Sequence, residues 1–231
     1  LNSAIWNTDL SNFWNYLLHS IKYVHLDKKR LIMSRGVLIL AGGKGSRMGY
    51  CQKGELLYNN STFLDIIIEN FRDEKIYIST KKEYCTDREV QYIYYTNAEY
   101  TPFEAIFNAL DRCSEETLFI IGCDMPFITR EIFLKLLEYL KNYSGVILYD
   151  ENNLPYPLSA IYTKKLLPIL EKMREKKNYK LKDIFENKNC LKLSMKDLEI
   201  SKNYFININT FEDYEKYIKW GKNEKKHWDR R

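Results

Sequence analysis

The sequence predicts an α/β protein, a three-layer α/β/α sandwich around a mostly parallel, Rossmann-like sheet. Three observations lead there. Short apolar runs alternate with amphipathic segments in a βαβ rhythm. Runs such as VLILA and LFIIG are apolar without alternation, as strands are when helices cover both faces of a parallel sheet. A glycine-rich turn follows the first of these runs directly, and in open sheets of this kind ligands bind at the carboxyl ends of the strands.

In chain order, residues 1–32 come first. Trp6, Leu10, Phe13, Trp14, Leu17, Ile21 and Val24 recur at helical spacing behind a cap at Thr8 or Asp9. The resulting aromatic stripe suits packing on its own domain, or docking on a partner or membrane surface. Met33 stands three residues before the first strand. The expected organisation is therefore a helical extension over 1–32 that is dispensable for the chemistry, one domain over 33–221, and a basic tail over 222–231. Within the domain, strands are expected at 36–41, 75–80, 91–95, 117–122, 145–149, 157–162 and 204–208. Helices are expected between them at 62–71, 103–113, 130–141, 164–176 and 211–220. No internal repeat and no Pro- or Ser-rich linker divides the domain.

Composition bounds the function. Of 231 residues, 45% are apolar and 29% charged, which excludes disordered and low-complexity classes. No stretch approaches the roughly 18 apolar residues of a membrane span, and the start lacks the basic region of a signal peptide, so a cytoplasmic protein is expected. The five cysteines, at 51, 85, 113, 123 and 190, show no CxxC or zinc-ligand spacing and read as free thiols. The net charge of +5 resolves into +3 in residues 1–35, +3 in residues 222–231, and 5 − 6 = −1 in the body between them. A nucleic-acid partner is not expected. All three histidines (His19, His25, His227) lie in the ends, so the body cannot run a histidine triad or a histidine-ligated metal site by itself.

The turn Leu40-Ala41-Gly42-Gly43-Lys44-Gly45-Ser46-Arg47-Met48-Gly49 holds four of the chain's nine glycines. Backbone N–H groups freed of side chains can cradle phosphates there, with Lys44 and Arg47 supplying positive charge. The spacing matches neither a Walker loop nor the dinucleotide fingerprint. Asp124 ends the apolar run LFIIGCD, where an unpaired buried carboxylate would be costly. A strand end opening into the crevice suits a Mg²⁺ ion, which takes one or two protein carboxylates and completes its shell with substrate phosphates. The other reading of Asp124 is a cap before Met125-Pro126. Thr210, with Asp213 three residues on, suits a helix N-cap.

The turn, followed by Lys53, resembles the L-A-G-G-x-x-S-R-M-G…K signature of the MobA-like nucleotidyltransferases. Gly122-Cys123-Asp124-Met125-Pro126-Phe127-Ile128, Tyr156-Pro157-Leu158-Ser159-Ala160 and Asn207-Ile208-Asn209-Thr210 are similar to three later elements of that family, in the same order. Within it, motifs and length lie nearest the molybdenum cofactor guanylyltransferases. The resemblance implies backbone contacts to the nucleotide from Leu40, Ala41, Gly42 and Gly43, with Arg47 and Lys53 as catalytic clamps on the triphosphate. It implies Mg²⁺ on Asp124, and it places Asn207 and Asn209 at the floor of the pterin or metal site, against simple turn chemistry. Pro102 of Thr101-Pro102-Phe103 stands where the family carries a Gly-Pro-Leu element near the base. Tyr94 and Tyr95 occupy the place of an Asp that the guanylyltransferases carry, which leaves guanine against cytosine preference open.

The implied reaction is transfer of GMP from GTP to the terminal phosphate of molybdopterin with release of pyrophosphate. Molybdenum cofactor biosynthesis proteins and acceptor molybdoenzymes are the implied partners. A nucleotidyltransferase for another base or a sugar phosphate is the alternative within the enzyme class. A nucleotide-binding assembly protein without turnover, docking through its N-terminal helix, is the alternative outside it.

Overall fold

A computed structural model describes residues 34–42, 52–95 and 101–217. The expected helix in 1–32, most of the glycine turn (43–49), Cys51, and the tail at 222–231 lie outside the described residues. The chain divides into two units after Ser34, and the second begins with the first strand at Arg35.

Seven strands form the main sheet: β1 (Arg35–Leu40), β4 (Lys75–Thr80), β5 (Gln91–Tyr94), β6 (Thr117–Gly122), β7 (Gly145–Tyr149), β8 (Ser159–Thr163) and β9 (Cys190–Ser194). Two short strands, β2 (Leu57–Tyr58) and β3 (Ser61–Thr62), make a separate hairpin. The order across the main sheet is β5-β4-β1-β6-β8-β7-β9. All neighbours run parallel except β8, which is antiparallel to β6 and to β7. The helices are α1 (Phe63–Asn70), α2 (Pro102–Arg112), α3 (Arg130–Leu140), α4 (Leu167–Glu175), α5 (Leu181–Ile184) and α6, helical over 211–217. This is the expected α/β/α sandwich.

The unalternating strands are explained by what covers them. In β1, Val37 and Ile39 face one side and Leu38 and Leu40 the other, because side chains alternate across a strand. The first pair packs with Phe119 and Ile121 of β6 against α1 (Leu64, Ile67), its C-cap Phe71, and α3 (Phe133, Leu136). The second packs with Leu118 and Ile120 against α2 (Phe103, Ile106, Leu110) and α4 (Leu170, Met173). Each such buried side chain contributes about 1.5–3 kcal/mol relative to exposure. Phe119 and Phe133 stack at 5.1 Å with rings 12° from parallel.

Helix starts follow local chemistry. Thr62 caps α1 by accepting from Asp65 N, and Thr101 caps α2 by accepting from Glu104 N with Pro102 in the first turn, where its missing N–H costs nothing.

Several elements differ from the sequence expectation. The strand expected at 204–208 is a 3-10 turn (Lys202–Phe205) followed by extended chain outside the sheet. The Ile206/Ile208 alternation reflects anchoring: Ile208 is fully buried with Leu56 and Phe63, and its N–H is taken by Asp124 O at 2.9 Å instead of a ladder partner. The strand expected at 157–162 begins only at Ser159, since Pro157 and Leu158 form a turn. The sheet's edge beside β7 is β9, which the sequence reading left unassigned.

Candidate active site

Parallel register brings the carboxyl ends of three strands level. Leu40 pairs with Ser79 of β4 on one side and with Gly122 of β6 on the other. Beyond the strands the ladder continues for one more rung: Ala41 N donates to Ser79 O at 3.0 Å, and Cys123 N donates to Leu40 O at 3.1 Å. The Ala41–Gly42 turn and the Cys123–Asp124 segment therefore leave the sheet side by side. The strand end is where the fold leaves backbone groups free for a ligand.

Two further segments converge on this edge. The first is a 3-10 turn at Lys53–Glu55, whose Gly54 is buried. It is continued into α1 by Phe63 N donating to Leu56 O at 2.9 Å. The second is the stretch Ile208–Thr210, tied by Ile208 N to Asp124 O. Each polar residue of the site thus sits within three positions of a buried apolar anchor: Lys53 near Leu56, Asp124 beside Met125, and Asn209 beside Ile208. That arrangement holds the polar groups in place without burying them.

The result is a three-way contact. Lys53 Nζ lies 2.9 Å from Asp124 Oδ2 and donates to Asn209 Oδ1 at 2.5 Å. Lys53 and Asp124 each keep about one fifth of their side-chain surface in solvent (20% and 21%), so the pair is reachable from the crevice. Asn209 is further fixed by its N–H, which donates to Asp213 Oδ2 at 3.1 Å, while Thr210 Oγ1 accepts from Asp213 N at 3.1 Å. The expected cap at Thr210 is present, and it orients the asparagine.

Of the residues the sequence singled out, Leu40, Ala41, Gly42, Lys53, Asp124 and Asn209 come together at this edge. Asn207 is exposed; the strand expected at 204–208 is absent, and of the two asparagines it is Asn209 that makes the contact to Lys53. Pro102 is exposed in the first turn of α2, outside the Lys53 cluster. Gly43 and Arg47 lie outside the described residues. Cys123 is buried, and burial, then the Asp124 charge, push its thiol up to about 12, so it is an inert packing group. Cys85, Cys113, Cys123 and Cys190 are all free thiols, as expected.

Sequence reasoning did not single out Gly122 as a site residue. A Cβ at that position would stand 2.6 Å from Asp124 Oδ1, because the carboxylate folds back over the end of β6. Glycine at the last position of an apolar strand, two residues before the acid, was the available signal.

The donor set suits a hard cation. Asp124 and Asn209 present a carboxylate and an amide oxygen, and an ammonium group already sits between them as a stand-in cation. Among the described residues no cluster of three or more His, Cys, Asp or Glu could hold a metal alone. One carboxylate with substrate phosphates is the pattern of Mg²⁺ sites in phosphoryl-transfer enzymes. No helix among the described residues is long and apolar enough to cross a membrane.

Comparison with known proteins gives the family and the fold. Residues 37–192 match the family described as the MobA-like NTP transferase domain. A probable molybdenum cofactor guanylyltransferase of Methanosarcina mazei is 32% identical over 201 residues, covering 80% of this chain and 90% of that protein. One from Clostridium perfringens is 33% identical over 200 residues, covering 81% and 98%. Among solved structures, molybdopterin-guanine dinucleotide biosynthesis protein A from Archaeoglobus fulgidus superposes with a TM-score of 0.68 at 20% identity, covering 81% of this chain and 99% of that one. The 2-C-methyl-D-erythritol 4-phosphate cytidylyltransferase of Francisella tularensis shares the fold with a TM-score of 0.59 at 20% identity, covering 81% and 99%. With a family match over more than half its length and relatives above 30% identity spanned almost end to end, the chain belongs to the MobA-like NTP transferase domain family.

Proposed function

We propose that this chain transfers GMP from GTP to the terminal phosphate of molybdopterin, forming a pterin guanine dinucleotide and releasing pyrophosphate. The single observation that carries the reading is the Lys53 ammonium held between Asp124 and Asn209 beside the Ala41–Gly42 turn. The guanylyltransferase names of the relatives supply the base and the acceptor.

The chemistry asks little of the protein in bond making. A phosphate monoester has a second pKa of about 6 and is already a nucleophile at neutral pH. No general base is needed, which fits a body without histidine. The acceptor phosphate oxygen forms a bond to the α-phosphorus of GTP as the bond to the bridging oxygen of pyrophosphate breaks. Catalysis is then alignment and charge neutralisation. Backbone groups of Leu40 to Gly43 hold the nucleotide, and Lys53 and Arg47 neutralise charge building on the departing pyrophosphate. Asp124, with Asn209 beside it, would hold Mg²⁺, which when bound supplies Lewis-acid stabilisation of the phosphoryl oxygens. Catalysis resides in residues 33–221, with residues 1–32 dispensable for it. Cytoplasmic molybdenum cofactor biosynthesis proteins and acceptor molybdoenzymes are the partners this product implies.

The test is pyrophosphate release by the purified full chain with GTP, Mg²⁺ and molybdopterin. Release that depends on molybdopterin and is lost in Asp124→Ala supports the assignment. Full GTP-dependent turnover in Asp124→Ala would refute the site.

A further inference from the structure

The nucleotide turn begins on a carbonyl that is not left to solvent. Tyr84 Oη donates to Ala41 O at 3.2 Å. A trans peptide is planar, with its C=O and the following N–H pointing in opposite directions. A hydroxyl that holds Ala41 O therefore aims the Gly42 N–H away from Tyr84. Gly42 is one of the residues whose backbone is assigned to the nucleotide, so the direction of that N–H matters to binding.

Tyr84 is itself held at both ends of its peptide. Its N–H donates to Tyr92 Oη at 3.2 Å, and its carbonyl accepts from the same hydroxyl at 2.8 Å. Tyr92 belongs to β5, the edge strand, and stacks on Tyr94 at 5.9 Å with rings 18° apart. One phenol thus uses both its donor and its acceptor to fix the loop that follows β4.

The same loop also grips the lysine turn. A Cβ placed on Gly54 would stand 3.6 Å from Tyr84 Cε1, so the ring borders the Lys53–Glu55 turn at the position where a side chain would point. Lys82 Nζ pairs with Glu55 Oε1 at 2.8 Å and lies 5.7 Å from the centre of the Tyr84 ring. Burial, with smaller contributions led by Cys123, raises the Tyr84 hydroxyl to about 12, so it remains a donor throughout the neutral range.

We propose that Tyr84, braced by Tyr92, is a positioning residue of the transferase. It orients the Ala41–Gly42 peptide and sets that peptide's spacing from the Lys53–Gly54 turn, so that both reach one triphosphate. Tyr84 touches neither substrate nor reacting atoms in this role. The proposal rests on the assignment of the Ala41–Gly42 turn to the nucleotide.

The experiment compares wild type with Tyr84→Phe and Tyr92→Phe in the full chain. GTP dissociation constants are measured by calorimetry with Mg²⁺, kcat and KM by pyrophosphate release, and thermal midpoints without nucleotide. Loss of one neutral hydrogen bond predicts a GTP Kd and KM raised about 3–10-fold in Tyr84→Phe, with kcat within about twofold. Tyr92→Phe shifts the same constants in the same direction by less. A purely structural tyrosine would lower the thermal midpoint and leave the GTP Kd unchanged. That result in Tyr84→Phe overturns the brace while the nucleotide assignment stands. A wild-type chain that binds no GTP overturns the assignment and the brace together.

Discussion

Replacing Lys53 by methionine separates the role it shows, counter-ion of Asp124, from the role proposed for it, ligand of the triphosphate. Methionine is close to lysine in length and carries no charge. At 2.9 Å, two unit charges attract by roughly 6 kcal/mol at an effective dielectric of ~20. Desolvation cancels much of that. Removing one partner costs about 3–5 kcal/mol when the pair is buried, by leaving the other charge uncompensated, and below ~1 kcal/mol when it is exposed. For partners one fifth exposed, a net worth of about 2 kcal/mol is consistent with that range. A divalent ion that binds Asp124 in the nucleotide-free protein has to displace Lys53 and forgo that amount. Lys53→Met removes the competitor, so Mn²⁺, used as a paramagnetic stand-in for Mg²⁺, should bind the nucleotide-free variant roughly 30-fold more tightly, each 1.4 kcal/mol being tenfold. Turnover moves the other way, falling about 10²–10³-fold as one charged transition-state contact is lost. The assay is Mn²⁺ titration followed by electron paramagnetic resonance, with Asp124→Asn as the control in which the gain disappears. Equal or weaker Mn²⁺ binding in Lys53→Met would refute the competition.

Three further outcomes follow from particular contacts. Gly122→Ala places a methyl group 2.6 Å from Asp124 Oδ1 and must push the carboxylate aside; pyrophosphate release should fall about 10²-fold, as a misplacement near 1 Å does, with circular dichroism unchanged. Phe133→Ala empties a position stacked on Phe119 and fully buried, so chemical denaturation should show a loss of about 3–5 kcal/mol. The Tyr84 hydroxyl, held neutral up to about 12 mainly by burial, favours the folded state below the ordinary tyrosine value near 10. That contribution is lost as pH rises from about 10 through 12, so Tyr84→Phe should show a shallower fall in thermal midpoint over that interval than wild type.

Much of this fold was legible because burial on both faces writes itself into composition. VLILA and LFIIG need no alternation when α1 and α3 cover one side and α2 and α4 the other. Lys53 and Asp124 were legible for a related reason: a charge at the end of an apolar run, or beside a glycine turn, is costly unless something meets it. What could not be read was which groups would meet. The separations of 71 positions from Lys53 to Asp124 and 156 from Lys53 to Asn209 are closed by the register of β1 with β6 and by the Ile208 bond to Asp124.

The misses have physical causes as well. The 204–208 alternation imitated a strand because one buried isoleucine needs an inward side chain whether or not a ladder exists. The β2–β3 hairpin passed unnoticed although Asn59 and Asn60, with φ of 51° and 67°, supply the left-handed pair that a tight hairpin turn demands. The strands on either side are two residues long and carry almost no periodic signal. Edge strand β9 was hidden by its partial exposure and its lysine. Tyr84 stood out in no motif, since its role depends on a hydroxyl reaching a carbonyl 43 residues away.

The most direct test of the whole reading is identification of the product by mass spectrometry after incubating the purified chain with Mg²⁺, molybdopterin and equal concentrations of GTP, CTP, ATP and UTP. Guanylyl transfer predicts a pterin dinucleotide carrying GMP, formed together with one equivalent of pyrophosphate. A dinucleotide carrying CMP as the main product, or nucleotide binding with no pyrophosphate released, would contradict it.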